Sequence, residues 1–586
     1  MRSKSYMLPA SVAFLVLGIA SSLVAQEVQE VSHQVNVQAS HLNVRKTGEA
    51  MLANSSRSRA EASVSRELTR VGNESPFSKM HSEAHHWGRV MAQKKAGFAA
   101  LQPASLPSVK ALPIIGPDKG FTGFAALTGA EQASASGFDL EPPDQGMCTD
   151  GNVVLEAINV AASVYDATTH KELAGPVYLN DFFGVAATDF TSDPRCYYDP
   201  STQRWFVTMT DLGPPTGVPT DLLLAVSQSS DPTGAYSLYE IDTTADGFIG
   251  ACPCFGDQPL IGSDNNGFYI STNSFGATSF GGAQIYALSK FALVLGISPF
   301  GVHITPLPSP GGVPFPFSLQ PSISPDGNGA SENGGTEYFV STYDDFSLAN
   351  HKVSVWAMTE TDTLNAEVGI PGFTTLAVNT ENYALPVVAS QKPGPIPLGK
   401  SMGQPEGTLD PDDERMQQVV YADGHLWSSV GTALQVGANT LDGAAYFVIQ
   451  PLWLNGVLKA SVTRQGYVAS ENDNLLYPAI GVSEKGNGAM VFTLTGPDYF
   501  PSAAYIPIKL SGGVAADIRL AAAGSNPDDG FTCYPSGGGP PGRWGDYSAA
   551  VAVGTDTVWI ATEYISKKKR DQFTNWGTFI GSLPLP

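Results

Sequence analysis

The chain has 586 residues, of which 42% are hydrophobic and 15% charged, and 55 Asp and Glu against 32 Lys and Arg give a formal net charge of −23. A surface so acidic repels phosphates and excludes nucleic acid as a partner. The imbalance is uneven: residues 27–120 carry 12 Lys and Arg against 8 Asp and Glu, while residues 121–586 carry 18 against 47. Excess carboxylates of this kind keep an exported protein soluble.

Arg2 and Lys4, the apolar run Leu8 to Leu23 and the small residues Ala20 and Ala25 read as a signal peptide over residues 1–25. The expected location is therefore secreted, periplasmic or extracellular. No later stretch is long and apolar enough to span a bilayer, so no integral span is expected after signal cleavage. Residues 26–120 read as a poorly ordered, partly helical linker or removable pro-segment. Ser56 to Val71 and His81 to Leu101 have helical composition, and Pro103, Pro107 and Pro113 follow. His81, His85 and His86 lack an HExxH frame or partner cysteines, so they read as a helix face and not as a metal site.

From residue 121 onward one pattern recurs: a polar or aromatic cluster, a short alternating apolar run, a turn, and a β-branched return. RWGDYSAAVAVGTDTVWIATEY from Arg543 states it most fully. Further copies begin at Pro142, Asp193, Asp257, Gln320, Arg415 and Tyr477, with turns near Gly151, Ser201, Asn266, Gly334, Gly424, Asn487 and Gly554. Hairpins repeated in this way, each extending to about four strands, are what a β-propeller requires, because radial repetition leaves only short protected edges. The expectation is an all-β chain with one seven-bladed propeller over residues 121–586, six or eight blades being the alternatives. A Pro- and Gly-rich insertion at about 365–409 is expected to lie over the channel or to supply an outer strand.

DPRCYYDPSTQRWFV, AVSQSSDPTGAYSLYEID, FGDQPLIGSDNNGFYISTNSF and RWGDYSAA together resemble exported bacterial proteins with sialidase-like (BNR-type) β-propellers. SSDPTGAY, Ser229 to Tyr236, is similar to an Asp-box one residue too long. The resemblance implies the propeller fold. It implies no activity, and the tyrosine, glutamate and arginine triad of sialidases is not placed residue by residue on this sequence.

In a propeller the first strand of each blade lines the channel, so residues that begin the repeated inner strands converge on one mouth. These are Asp144, Arg195, Asp257, Gln320, Arg415, Tyr477, Arg543 and Asp546. Arg195, Asp257, Gln320, Arg415, Tyr477 and Arg543 are the ligand-binding candidates, the arginines gripping a carboxylate or sulfate while the acids orient hydroxyls. If neighbouring Asp residues satisfy the arginines, the mouth is structural instead. Asp546 with Tyr547, or Tyr477 near Glu471, is the candidate for an acid and a tyrosine nucleophile. No metal site is read. A structural Ca²⁺ is the one cofactor for which SPDGNG at Ser324 and DPDDE at Asp410 leave room, although neither follows the twelve-residue calcium loop and turn chemistry accounts for both. Lys567 to Arg570 reads as a hairpin tip.

The expected function is a non-catalytic exported propeller that binds a glycan or an extracellular protein. The alternative is a carbohydrate-active hydrolase or lyase with its site at the mouth. Five cysteines leave at least one unpaired. Adjacent blades would pair Cys196 with Cys252 or Cys254, and ring closure would pair Cys148 with Cys533; a bridge within Cys252-Pro253-Cys254 would be strained.

Overall fold

The computed structural model describes residues 32–34, 37–52, 106–213, 218–247, 252–276, 280–306, 316–344, 347–366, 371–566, 570 and 573–586. The expected signal peptide, the stretches expected to be helical with His81, His85 and His86, and Lys567 to Lys569 lie outside these residues. The described chain is all-β and is built from antiparallel meanders. Gly146–Thr149, Val153–Ile158, Ala161–Asp166 and Glu172–Tyr178 form the first. Thr191–Asp199, Arg204–Asp211, Asp221–Ser227 and Ala235–Asp242 form the next, and the pattern continues from Cys254–Ser263, Gln320–Ile323, Val419–Ala422, Asn474–Val482 and Ala549–Val553. Each of those opening strands touches the opening strand of the next meander, and Ala549–Val553 returns to touch Gly146–Thr149.

Both faces of these sheets are covered, which is why the middle strands read as continuous apolar runs and not as alternations. All of Gly267–Gly276 is buried. Tyr197, Phe206, Leu222 and Leu224 of one sheet pack on Ile261, Phe268, Ile270 and Tyr286 of the next, with the rings of Phe206 and Phe268 stacked at 4.5 Å. Tyr269 and Ile285 meet Phe339 and Trp356 in the same way, and Met147 and Tyr165 meet Trp559 and Ala561. The core is thus divided among sheet interfaces, each large side chain contributing about 1.5–3 kcal/mol by leaving water. Neighbouring opening strands approach one another closely. A Cβ at Gly146 would lie 2.9 Å from the Pro194 carbonyl oxygen, and one at Gly481 2.6 Å from the Ala550 carbonyl carbon, so only glycine fits there.

The segment expected to be a linker instead supplies edge strands. Arg45–Met51 pairs with Ala235–Asp242, Val37–His41 with Gly301–Pro306, and His33–Gln34 with Gly372–Ala384. Ile114–Ile115 lies parallel to Ile518–Ala522, and just beyond the segment, within the part read as propeller, Thr122–Thr128 closes the last meander against Gly577–Pro584. These short, weakly apolar strands gain their order from the exposed edges they cover, a tertiary effect that local propensity does not carry.

Part of the 365–409 insertion is likewise an outer strand, Gly372–Ala384. The chain beyond it folds back: Ala389 bridges to Leu409, the Gln391 side-chain amide donates to the Gly407 carbonyl at 2.9 Å, and the Leu398 and Gly399 amides donate to Asp529 at 2.8 and 3.0 Å. The degenerate Asp-box is a turn between third and fourth strands. Its Asp231 accepts from the Thr233 amide at 2.9 Å, and the Trp205 indole donates to the Ser230 carbonyl at 2.9 Å.

The disulfides differ from the expected pairs. Cys148 joins Cys196 across neighbouring opening strands, Cα to Cα 5.6 Å, and Cys252 joins Cys254 at 4.3 Å. Cys533 is a buried free thiol that donates to the Asp528 carboxylate at 3.0 Å. The principle of linking adjacent opening strands was sound, but Cys148 faces the second meander and not the last. Among the described helices none is long and apolar enough to cross a membrane.

Candidate functional site

Residues just before or within the opening strands repeatedly take positive φ: Asp144 (49°), Asp193 (56°), Gln258 (49°), Ser318 (45°) and Tyr477 (53°). Three of these lie in irregularities of register, between Ser192 and Arg195, Asp257 and Leu260, and Leu476 and Ala479. A bulge of this kind re-aims a side chain, and for a ring as large as that of Tyr477 the conformation is costly enough to need support from its surroundings. Asn159 supplies some of that support. Its amide nitrogen donates to the Asp144 carboxylate at 2.6 Å and its oxygen accepts from the Asp193 amide at 2.8 Å. Asn273 repeats the device by accepting from the Ser318 amide at 2.8 Å.

These starts meet around Asp546. Its charge acts on Asp144, Asp193, Asp257 and Asp412, on Arg195, Arg415 and Arg543, and on Tyr477 and Tyr547. Every binding candidate except Gln320 is therefore in this group. Gln320 sits deeper, donating to the carbonyls of Ile261 (3.3 Å) and Pro321 (2.9 Å). There it lines a central cavity of about 110 Å³ whose wall also includes Arg195, Gln418, Val420 and Ala550.

Aspartates already engage two of the three arginines, Arg415 and Arg543. Arg415 grips Asp413 in a bidentate pair, Nε to Oδ1 and Nη2 to Oδ2 both at 2.7 Å, reaches Asp412 at 2.9 Å, and donates to the Gln258 side-chain oxygen at 2.6 Å. Arg543, half exposed, holds Asp546 at 2.7 Å. Arg195 lies with its guanidinium carbon 3.2 Å over the centre of the Tyr547 ring, no aspartate among the described residues pairs with it, and its buried Nε has no hydrogen-bond partner there. An anion-gripping pair of free guanidinium groups, as the sequence suggested, is not what the mouth offers. Acids outnumber arginines there, and burial followed by the neighbouring carboxylates Asp193 and Asp546 holds Asp257 well above the ordinary carboxylate range. Burial, then Asp546 and Asp193, does the same to Asp144.

The tyrosine nucleophile is also corrected. Tyr547 is fully buried and its hydroxyl donates to the Pro194 carbonyl at 2.8 Å, while burial raises its phenol far above the usual value. Tyr477 donates to the Asp410 carbonyl at 2.8 Å and is likewise held protonated by burial. Each hydroxyl braces a backbone carbonyl of a neighbouring strand and neither is an activated oxygen. Sequence reasoning missed Asp412 and Asp413, which DPDDE presented as turn residues. It also missed Asn159 and Glu563, which come from the ends of second strands. Glu563 accepts from the Gln145 amide at 3.1 Å, and burial raises it to about 8.

No family model matches this sequence, and no curated protein matches it. Among solved structures, a Hadza microbial sialidase is similar over 78% of this chain and 68% of its own, at 10% identity and a TM-score of 0.32. An exo-β-1,3-galactanase from Clostridium thermocellum is similar over 77% of this chain and 97% of its own, at 8% identity and a TM-score of 0.28. An ulvan lyase of polysaccharide lyase family 25 is similar over 74% and 94%, at 10% identity and a TM-score of 0.30. Likenesses this slight carry no argument about the fold or the chemistry of this chain.

Proposed function

We propose that this chain is an exported, seven-bladed β-propeller that binds a glycan, without transforming it, at the acidic mouth of its central channel. The cyclic order of contacts among the opening strands supports the blade count: each touches the next, and the last touches the first. Two disulfides and the acidic surface fit an oxidising exterior. The observation that carries the binding reading is the convergence on Asp546 of acids in excess of arginines, with Arg415 clamped between Asp412, Asp413 and Gln258. Such an array presents fixed acceptors and donors to hydroxyl groups, whereas its negative surplus disfavours sulfated or carboxylated ligands. A neutral or amino-bearing glycan is the class it suits.

A second reading, a glycoside hydrolase or lyase, is favoured by the number of acids gathered around Asp546, Asp144, Asp193 and Asp257 among them, since cleavage of a glycosidic bond requires two carboxyls set apart across it. One experiment separates the two: a glycan array, followed by a reducing-end release assay on every ligand that binds. Binding without release supports the binder. Release that Asp257→Asn abolishes would establish the hydrolytic reading, and an array without any ligand would overturn both.

A further inference from the structure

We propose that Asp144, Asp193 and Asp546 together hold a divalent cation of the size and hardness of Ca²⁺. The three come from the starts of three different opening strands, and one carboxylate oxygen from each lies within 4.8 Å of the others. Two of them are held from behind: Asn159 bonds to both Asp144 and Asp193, and the Gln258 amide donates to Asp193 at 3.1 Å. Asp144 is only 2% exposed; with one oxygen committed to Asn159, its other oxygen, Oδ1, has no hydrogen-bond partner. Beneath them Glu563, fully buried, leaves Oε2 without a partner as well, and its charge acts on Asp144. Those are acceptor oxygens facing a shortage of donors, which is what a cation relieves.

Charge points the same way. Two guanidinium groups, the half-exposed Arg543 and the partly buried Arg195, stand against Asp144, Asp193 and Asp546, and the charges of Asp257 and Glu563 add to the same group, so acids still exceed cations. A divalent ion would offset that surplus of negative charge. Every donor is a hard oxygen, and no His or Cys belongs to the group, which selects Ca²⁺ or Mg²⁺ over Zn²⁺. Three protein carboxylates in one group favour Ca²⁺, which takes about six to eight oxygen ligands in flexible geometry, over Mg²⁺, which keeps several waters and is usually held by about one or two carboxylates.

The site stands whether or not the mouth binds a glycan, and its test needs no glycan. The full mature chain, stripped of metal, is titrated with Tb³⁺ and followed by luminescence sensitised through Tyr477, Tyr547 and Trp544, then with Ca²⁺ as competitor, alongside thermal unfolding in Ca²⁺ and in Mg²⁺. The expected result is one saturable Tb³⁺ per chain, displaced by Ca²⁺, a rise of unfolding temperature in Ca²⁺ larger than in Mg²⁺, and a loss of Ca²⁺ affinity of at least about tenfold in Asp546→Asn. Asp193→Asn should show the same loss. Asp546 reaches the surface, so its variant remains informative if the buried one fails to fold. Absence of a Ca²⁺ response, an equal response to Mg²⁺, or binding that survives the Asp546 substitution overturns the proposal.

Discussion

Arg415 holds a carboxylate whose side chain has no exposed surface, and its removal takes away the bidentate half of that pair. Arg415→Ala is therefore expected to lower the free energy of unfolding by about 3 kcal/mol in a urea titration, because a buried charge loses its partner. A change below about 1 kcal/mol would show that Asp413 does not depend on it. Tyr547→Phe keeps the ring under Arg195 and loses only the bond to Pro194, so it should cost about 1 kcal/mol and leave glycan affinity unchanged. A tyrosine acting on substrate would instead abolish activity or binding. Arg195, Asp257, Arg543 and Asp546 were legible in the sequence because they start strands that repeat a pattern. Asp412 and Asp413 were not, since DPDDE has the composition of an ordinary turn. Glu563 reaches Gln145 across more than 400 residues, a proximity that only ring closure creates.

At the scale of elements, the N-terminal chain covers the outer edges of three consecutive sheets with Arg45–Met51, Val37–His41 and His33–Gln34. Removing residues 1–52 leaves the edges Ala235–Asp242, Gly301–Pro306 and Gly372–Ala384 unpaired, and edge-to-edge association follows. Light scattering after size exclusion should find oligomers in the truncated protein; a monodisperse monomer of unchanged stability would assign these strands no protective role. The hairpins themselves were readable, since each of the seven turns foreseen joins the first two strands of a meander. The edge strands were not, because isolated segments such as VQASH have little apolar content and pair only where an edge is offered. Cysteine pairing failed for a related reason: sequence gives adjacency of strands but not the face toward which each thiol points. Alkylation of the unfolded, unreduced chain should label one thiol, Cys533. Reduction of the 148–196 bridge, whose ends are 48 positions apart in sequence, should then cost about 4 kcal/mol.

For the whole molecule, burial between sheets has placed acids where their charge is disfavoured. Burial raises Glu156 and Asp211 each to about 7, and Asp221 to about 6. A carboxyl whose folded value lies above its unfolded one stabilises the fold fully below the unfolded value and loses that contribution as pH rises through the folded one. The window is therefore about pH 4 to 7, and the unfolding temperature should fall as pH is raised from 5 to 8. An opposite slope in calorimetry would mean that ion pairs, and not these buried acids, dominate the pH response.

The mouth's role in binding is tested most directly by titrating the chain with a glycan found on the array and comparing it with Asp412→Asn, a change in the clamp around Arg415 that leaves Asp413 in place. A loss of affinity of about tenfold or more, with the unfolding temperature nearly unchanged, is predicted, because a charged hydrogen bond to ligand is worth about 1.5–3 kcal/mol. Affinity equal to that of the unaltered chain would contradict it and move the ligand away from the channel.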